Sequence, residues 1–483
     1  MRVTIIGAGI AGLATAFALR REATRRADAL DLTVLEAGPR AGGRIRTTHE
    51  EGYRIEWAAN GIQGVDGAAW RLADELGLSD QRVPARRDAA RRYIVQGGHL
   101  HRLPMGPMAL FGFGGLSERS RLRVAAEPLF ARRVAREESV HDFAARHVGQ
   151  EAARVLIGSA VRGIFAGDSR RLSLDAAFPV MRAMEREHRS LVVAMMRPSK
   201  RGGPTGRPLW TLARGLESLT DALAAAVAPI RLNAPVLSLA RRPSGGFAIR
   251  LASGERIEAD AVVLATPPRA AAALLRDVDA DTARKIGTIE AAGLAVAALA
   301  FRPEAFRKHP DGYGYLVAPG EKIEVLGALF ESNLFPDRAP EGRILVRVMI
   351  GGAERPDLIT RTDADLVGLA MKALDRTHGL KSGPERTWVI RQESAIPQYA
   401  VGHVALMAEL EQRLAALPGL YLTGNGYRGV SVGALVEDAE RVAARVALTP
   451  VQRQAPEFAP PPPPPQPAPS SPPQPGPPVA GGL

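Results

Sequence analysis

Val3-Thr4-Ile5-Ile6-Gly7-Ala8-Gly9-Ile10-Ala11-Gly12 decides the fold. Apolar and β-branched residues up to Ile6 suit a short strand, and three closely spaced glycines then make a turn. Leu13 to Arg26 follows as an alanine-rich helical stretch, and Leu32-Thr33-Val34-Leu35 reads as a second strand ending at Glu36. Such a glycine turn lets backbone approach a pyrophosphate closely, at the positive end of the following helix. Glu36, 24 residues after Gly12, stands where an acid accepts hydrogen bonds from an adenosine ribose. A turn that merely packs a helix on a sheet needs none of these further parts, so the stretch reads as the start of a dinucleotide-binding unit.

Moving outward, Ala261-Val262-Val263-Leu264-Ala265-Thr266-Pro267 suits a buried strand ended by proline. Leu420-Tyr421-Leu422-Thr423-Gly424 suits another, followed by a glycine-rich turn and a helix from Ala434 to Ala447. Strands of one doubly wound sheet thus occur early, midway and late. We expect an α/β protein whose Rossmann-like domain is assembled from 1–85, 205–284 and 386–448. Residues 86–204 carry Arg, Leu and Ala at helical spacing and are expected to be mainly helical. Residues 285–385 contain alternating stretches such as Ile344-Leu345-Val346-Arg347-Val348-Met349 and suit a mixed sheet. Residues 449–483 hold fifteen prolines, six in a row from Pro460 to Pro465, and are expected to form a disordered tail.

Composition narrows the function. The 483 residues are 46% hydrophobic and 24% charged, as in globular chains. No apolar run reaches the ~18 residues of a spanning helix; the longest candidate is Ala291 to Phe301. Absence of cysteine excludes disulfides, thiolate zinc sites, iron–sulfur clusters and a flavin tethered through cysteine. A strand pattern beginning at Val3 leaves no room for a signal peptide, so a cytoplasmic location is expected. The net charge of +12 arises from an arginine excess, since only six of 63 basic residues are lysine. No nucleic-acid signature accompanies that charge, so nucleic acid is not an expected partner. The nine histidines are scattered without metal-ligand spacing, and no metal site is expected.

Ala37-Gly38-Pro39-Arg40-Ala41-Gly42-Gly43-Arg44 follows Glu36 directly. This acid, loop and glycine pair resembles the second signature of the flavin-containing amine oxidase superfamily. The turn Gly424-Asn425-Gly426-Tyr427-Arg428-Gly429-Val430-Ser431-Val432 resembles the segment with which that superfamily closes its flavin site. More specific blocks resemble the protoporphyrinogen oxidase family: Val161-Arg162-Gly163-Ile164-Phe165-Ala166-Gly167-Asp168 with Leu172-Ser173-Leu174, Asp311-Gly312-Tyr313-Gly314-Tyr315-Leu316-Val317, and Ala395-Ile396-Pro397-Gln398-Tyr399-Ala400-Val401-Gly402-His403. The resemblance runs from Met1 to about Leu448.

It implies an FAD domain, a substrate domain and a helical, membrane-associating domain. The implied reaction is a six-electron oxidation of a porphyrinogen to a porphyrin in heme biosynthesis, with noncovalent FAD as carrier, oxygen as acceptor and hydrogen peroxide formed. The chemistry is then flavin-centred, and no catalytic side chain is singled out. The implied FAD-binding residues are Gly7, Ala8, Gly9, Ile10, Ala11, Gly12, Glu36, Gly42, Gly43, Arg44, Ala58, Ala59, Asn60, Gly61, Val236, Gly424, Val430, Ser431 and Val432. On the substrate side it implies Arg92 as the partner of a propionate, Tyr313, Leu316 and Met349 around the macrocycle, and Ala160 with Gly163 as a narrow wall. The chain departs from the family at Val432-Gly433-Ala434-Leu435 and at Trp57-Ala58-Ala59-Asn60-Gly61, both beside the expected flavin.

Pro104 to Leu116, with Met105, Met108, Leu110, Phe111 and Phe113 flanked by arginines, suits either insertion into one leaflet or the mouth of a substrate channel. A peripheral place on the inner face of the cell membrane is expected. A homodimer and contact with the next enzyme of heme biosynthesis are further expectations. Protoporphyrinogen, with two propionates, is the expected substrate because only one cationic partner is assigned; coproporphyrinogen, with four, is the alternative. An FAD amine oxidase is a weaker alternative, with Lys285 the only lysine near a suitable region; a carotenoid desaturase and a non-enzymatic scaffold are weaker still.

Overall fold

A parallel five-stranded sheet lies at the centre of the nucleotide-binding part, ordered Ile230–Arg231, Asp31–Leu35, Arg2–Ile6, Ala261–Leu264, Leu420–Leu422. Val3 lies opposite Leu32 on one side and Ala261 on the other. Three distant stretches of chain therefore meet in one sheet. Ala261 to Leu264 are all buried, as a strand covered on both faces requires. On one face pack the helices Ile10–Arg26, Ala68–Glu75, Glu217–Val227 and Val432–Val446. The other carries Pro268–Leu275, Ala280–Gly287, His403–Ala415 and a small antiparallel sheet of Val236–Arg241, Phe247–Leu251 and Arg256–Ala259. Leu13 is fully buried in the first layer, and truncating it to alanine should cost about 2–5 kcal/mol.

The computed structural model describes residues 1–104, 106, 108–197 and 208–448, with the side chains of Met108 and Phe111 left out. Met105, those two side chains, the boundary at 204/205 and the proline-rich segment 449–483 lie outside the described residues.

A seven-stranded sheet runs Arg386–Pro397, Ala291–Phe301, Ile344–Gly351, Gly327–Phe330, Gly314–Val317, Arg92–Gln96, His99–Arg102. Only Gly314–Val317 and Arg92–Gln96 pair in parallel. The apolar run Ala291–Phe301 is its second strand, with almost every residue buried, which explains why it lacks polar alternation. One face is covered by Asp363–His378, a helix opened by a Thr362–Asp365 capping box.

The sheet crosses the expected boundaries at both ends. Residues 92–102, placed in the helical insert by sequence, form a hairpin: Tyr93-Ile94-Val95 favour extended backbone, and Gly97 and Gly98 supply positive φ values of 61° and 76° for the turn. Residues 386–397, grouped by sequence with the nucleotide-binding domain, form an edge strand of this sheet. Their exposed Arg386, Arg391 and Glu393 hide a strand that pairs with only one neighbour.

Between Glu118 and Met196 the described chain is largely helical. No helix of the described residues is long and apolar enough to cross a membrane.

Candidate active site

The glycine turn joins Arg2–Ile6 to Ile10–Arg26. A Cβ on Gly12 would lie 1.9 Å from the Gly7 carbonyl oxygen, so no other residue fits there. Gly9 caps the helix without a side-chain bond, and no acid occupies the first turn. The first N–H groups and the positive end of the dipole are thus available to an anion. The second signature folds back on the turn: the Gly42 N–H donates to the Ala8 carbonyl at 2.8 Å, and a Cβ on Gly43 would come within 3.0 Å of the Gly9 Cα. Two glycine segments about 30 residues apart in sequence form one cradle.

Glu36 stands at its side. One carboxylate oxygen accepts from the Ala8 N–H at 2.8 Å and the other from the Gly38 N–H at 2.9 Å. Each oxygen keeps a further acceptor position. The Ala234 N–H donates to the Glu36 carbonyl at 2.8 Å, so the strand beginning at Val236 starts beside this acid.

The late segment reaches the same place. Leu420–Leu422 pairs with Ala261–Leu264, next to Arg2–Ile6, and the turn from Gly424 leads into Val432–Val446. Ser431 caps that helix, accepting from the Ala434 N–H at 3.2 Å. Val432 packs in the same core as Ile10 and Ala11, whereas Val430 lies against Phe165 and Tyr399. Arg44 donates to the Ser394 carbonyl, and burial lowers its pKa from the ordinary value.

The segment Ala58–Gly61 faces the seven-stranded sheet. Arg347 donates to the Ala58 carbonyl at 2.9 Å and Arg338 to the Asn60 carbonyl at 3.3 Å. A Cβ on Gly61 would meet Leu209 at 3.0 Å. Ala59 packs against the first core layer.

Register on the seven-stranded sheet sets the substrate-side residues in rows. Leu316, Gly327 and Met349 stand opposite one another on three adjacent strands, with no side chain between the two large ones. The next row on the same face is Arg92, Gly314, Leu329 and Arg347. A Cβ on Gly163 would lie 2.7 Å from Leu316 Cδ2, so the helix Ser159–Phe165 presses on this face. Ala160 stands one turn earlier on that helix. Tyr313 carries the Arg92 guanidinium 4.8 Å from its ring centroid, and burial raises its hydroxyl pKa.

Arg92 differs from its neighbours. Arg86 pairs with Asp88 and Arg91 with Asp311. Among the described residues no carboxylate pairs with Arg92, which leaves a half-buried cation for a ligand. The structure thus brings together the glycine turn, Glu36, Gly42, Gly43 and Val236, and separately Arg92, Tyr313, Leu316, Met349 and Gly163.

Sequence reasoning missed the buried pair Glu331–Arg347, 3.1 Å apart, and the pair Glu56–Arg338, 2.6 Å apart. Arg347 interrupts an otherwise apolar strand, and that lone charge was the available signal. Lys285, singled out for the amine oxidase alternative, is engaged by Glu409 at 2.7 Å on the helix Ala280–Gly287.

Fold and cradle define a dinucleotide-binding protein. The chain belongs to the family of flavin containing amine oxidoreductases, whose model matches residues 10–447. Along 92% of its length it is 29% identical to the coproporphyrinogen III oxidase of Bacillus subtilis and 32% identical to the protoporphyrinogen oxidase of Bos taurus, covering 98% of each. It also matches the crystal structure of a protein assigned as a protoporphyrinogen oxidase from Exiguobacterium sp. 255-15, with a TM-score of 0.81 and 26% identity over 92% of this chain and 98% of the other. The likeness to protoporphyrinogen oxidases read from the motif blocks therefore extends over nearly the whole chain.

Proposed function

We propose that the chain is an FAD-dependent, oxygen-using porphyrinogen oxidase of heme biosynthesis, acting on protoporphyrinogen IX in preference to coproporphyrinogen III. The observation that carries this reading is the sheet face itself: Leu316 and Met349 separated by Gly327, closed by Gly163, with one unpaired cation, Arg92, at the end of the adjacent row. That surface suits a flat, largely apolar ring with few carboxylates.

The residues present fit FAD. The Gly7–Gly12 turn and the N-terminus of Ile10–Arg26 would hold the diphosphate, and Glu36 the adenosine ribose. Val236 would hold the adenine through its backbone, and Gly42, Gly43, Arg44, Ala58–Gly61, Gly424, Val430, Ser431 and Val432 the remainder. The proposed binding is noncovalent; without cysteine no thioether tether can form. Bound FAD supplies acceptance of two electrons at a time from carbon and their transfer to oxygen, with hydrogen peroxide as by-product.

The protein binds and orients. Arg92 grips a propionate in a two-pronged fashion, Tyr313, Leu316 and Met349 hold the ring, and the Ala160–Gly163 wall excludes bulk and water. Burying an unpaired carboxylate is costly, so four propionates are served less well than two by Arg92, which has no carboxylate partner among the described residues. Likeness to a coproporphyrinogen III oxidase makes that substrate the second reading. Peripheral contact with the inner face of the membrane belongs to the proposal; Phe113 and Leu116 of the Pro104–Leu116 segment are buried beside Ile94 and Val155, so exposed Leu122, Leu129 and Phe130 on the helical part would carry that contact.

The test is direct. Purified protein mixed under air with each reduced porphyrinogen should generate porphyrin fluorescence and peroxide, with the higher kcat/KM on protoporphyrinogen. Denaturation should release FAD into the supernatant. A clear advantage for coproporphyrinogen reverses the substrate assignment, and absence of flavin refutes the proposal as a whole.

A further inference from the structure

The block Ala395–His403 has no task in the reading above, yet its side chains grip two other motif segments at once. Gln398 Nε2 donates to the Phe165 carbonyl at 2.8 Å and to the Ile396 carbonyl at 2.9 Å. Phe165 ends the helix that carries Gly163, where terminal carbonyls lack helical partners, so Gln398 supplies a missing donor. Gly167 makes room for it: a Cβ there would lie 2.4 Å from Gln398 Oε1.

On the other side, the buried Tyr399 hydroxyl donates to the Asn425 carbonyl at 2.5 Å. The Tyr399 ring stacks on His403 with centroids 4.3 Å apart and planes at 22°. His403 Nε2 lies 3.1 Å from the Tyr427 carbonyl, so that nitrogen carries the proton and donates. Burial lowers the His403 pKa, in keeping with a neutral ring. Asn425 and Tyr427 lie in the turn after Leu420–Leu422, outside any sheet ladder, and these two donors satisfy carbonyls that the turn itself leaves open.

We propose that Tyr399 and His403 are positioning residues for the flavin: by fixing the Asn425 and Tyr427 carbonyls they set the Gly424–Ser431 turn against the cofactor, while Gln398 ties that setting to the helix that walls the substrate face. The inference rests on the FAD reading and concerns residues that would not touch FAD themselves.

The experiment removes FAD from the purified protein, titrates it back by flavin fluorescence, and records the visible spectrum and midpoint potential of the reconstituted protein. Tyr399→Phe keeps the ring and deletes one donor; it should raise the FAD Kd about tenfold and shift both spectrum and potential. The melting temperature of the apoprotein should move by no more than about 2 °C. His403→Leu should act likewise, and His403→Gln, which restores an N–H donor, should recover most of the loss. Unchanged Kd, spectrum and potential in Tyr399→Phe would overturn the proposal, as would a loss confined to apoprotein stability. If Tyr399→Phe fails to fold, the His403→Leu and His403→Gln pair decides by the same readouts. Failure of the unaltered protein to bind FAD would instead refute the FAD reading, and this inference with it.

Discussion

Two buried charge clusters invite comparison. In the helical part, His147 lies between Glu127 at 2.6 Å and Glu185 at 3.2 Å, and Arg182 and Arg146 add salt bridges of 2.6 Å and 2.7 Å to Glu185. Glu127 also accepts from Ser190 and from the Leu191 and Val192 N–H groups. None of the side-chain polar atoms of these five residues is left buried without a partner. At the seam between Ala58–Gly61 and the seven-stranded sheet, Glu331 and Arg347 form the second cluster. Here Glu331 Oε2 and Arg347 Nε are buried and unpaired. A cluster whose task is to join helices can satisfy every atom. One that borders a candidate site is built to other constraints and gives up part of its hydrogen bonding there.

The first cluster should therefore be the costlier to break. Glu185→Ala leaves Arg182, Arg146 and His147 buried with less compensation, and should lower stability by about 3–5 kcal/mol in denaturant titration. Flavin content per folded molecule should stay unchanged. An acid limb is expected too. Burial pushes the Glu127 carboxyl up, but bonds from His147, Ser190 and two backbone N–H groups outweigh it and hold the pKa below the ordinary value. Glu185 behaves likewise, with His147, Arg146 and Arg182 opposing burial. Groups depressed in the folded state stabilise above their unfolded pKa, and that contribution is lost as pH falls through the folded values. Stability should be level near neutrality and fall below about pH 4.3, with the fall shallower in Glu127→Gln. A full-strength acid limb in that variant would remove this cluster as its cause.

Glu331→Gln tests the second cluster. The amide oxygen can still accept from Arg347 while the charge disappears, so the cost should be about 1.5–3 kcal/mol, less than for Glu185→Ala. A larger loss would show that the unpaired atoms do not mark weaker coupling. Porphyrinogen turnover, measured in parallel, should fall here and not in Glu185→Ala at equal folded fraction.

How much of this was legible follows from where partners lie in sequence. The glycine turn, Glu36 and the strands at 3–6 and 261–264 are local patterns, and the structure keeps them with shifts of a residue or a few. The hairpin at 92–102 was hidden by flanking arginines, although Gly97-Gly98 announced its turn. The edge strand at 386–397 was hidden because one edge faces solvent. Arg347 could be noticed but not interpreted, because its acceptor at Ala58 is 289 residues away. Tyr399 and His403 were visible as a motif block, while the carbonyls they hold belong to a turn recognised only by its glycines.

Arg92→Ala should affect substrate binding and leave the fold alone. Lacking a carboxylate partner among the described residues, Arg92 holds no ion pair together, and its removal forfeits mainly the stacking on Tyr313, about 0.5–2 kcal/mol. The apparent KM for protoporphyrinogen should rise roughly tenfold with kcat little changed, the pattern expected when ground-state and transition-state binding are lost together. Equal loss in kcat would place Arg92 at the reacting carbon rather than at a propionate.

Lys285→Met should do least. Its ammonium meets Glu409 at 2.7 Å; the Lys285 side chain is 20% exposed and that of Glu409 43%, so solvent screens the pair from the Glu409 side, and methionine keeps the packed stem of the lysine. Neither cluster touches it, and the helix Ala280–Gly287 keeps its buried Ala283 and Ile286 when the charge is removed. Melting temperature, flavin content and porphyrinogen turnover should all match the unaltered chain. The variant also bears on the reaction class, because an amine oxidase reading needs a lysine near the flavin and Lys285 was its only candidate. A marked fall in flavin reduction without loss of fold would restore that reading and move the chemistry away from the sheet face that holds Arg92, Leu316 and Met349.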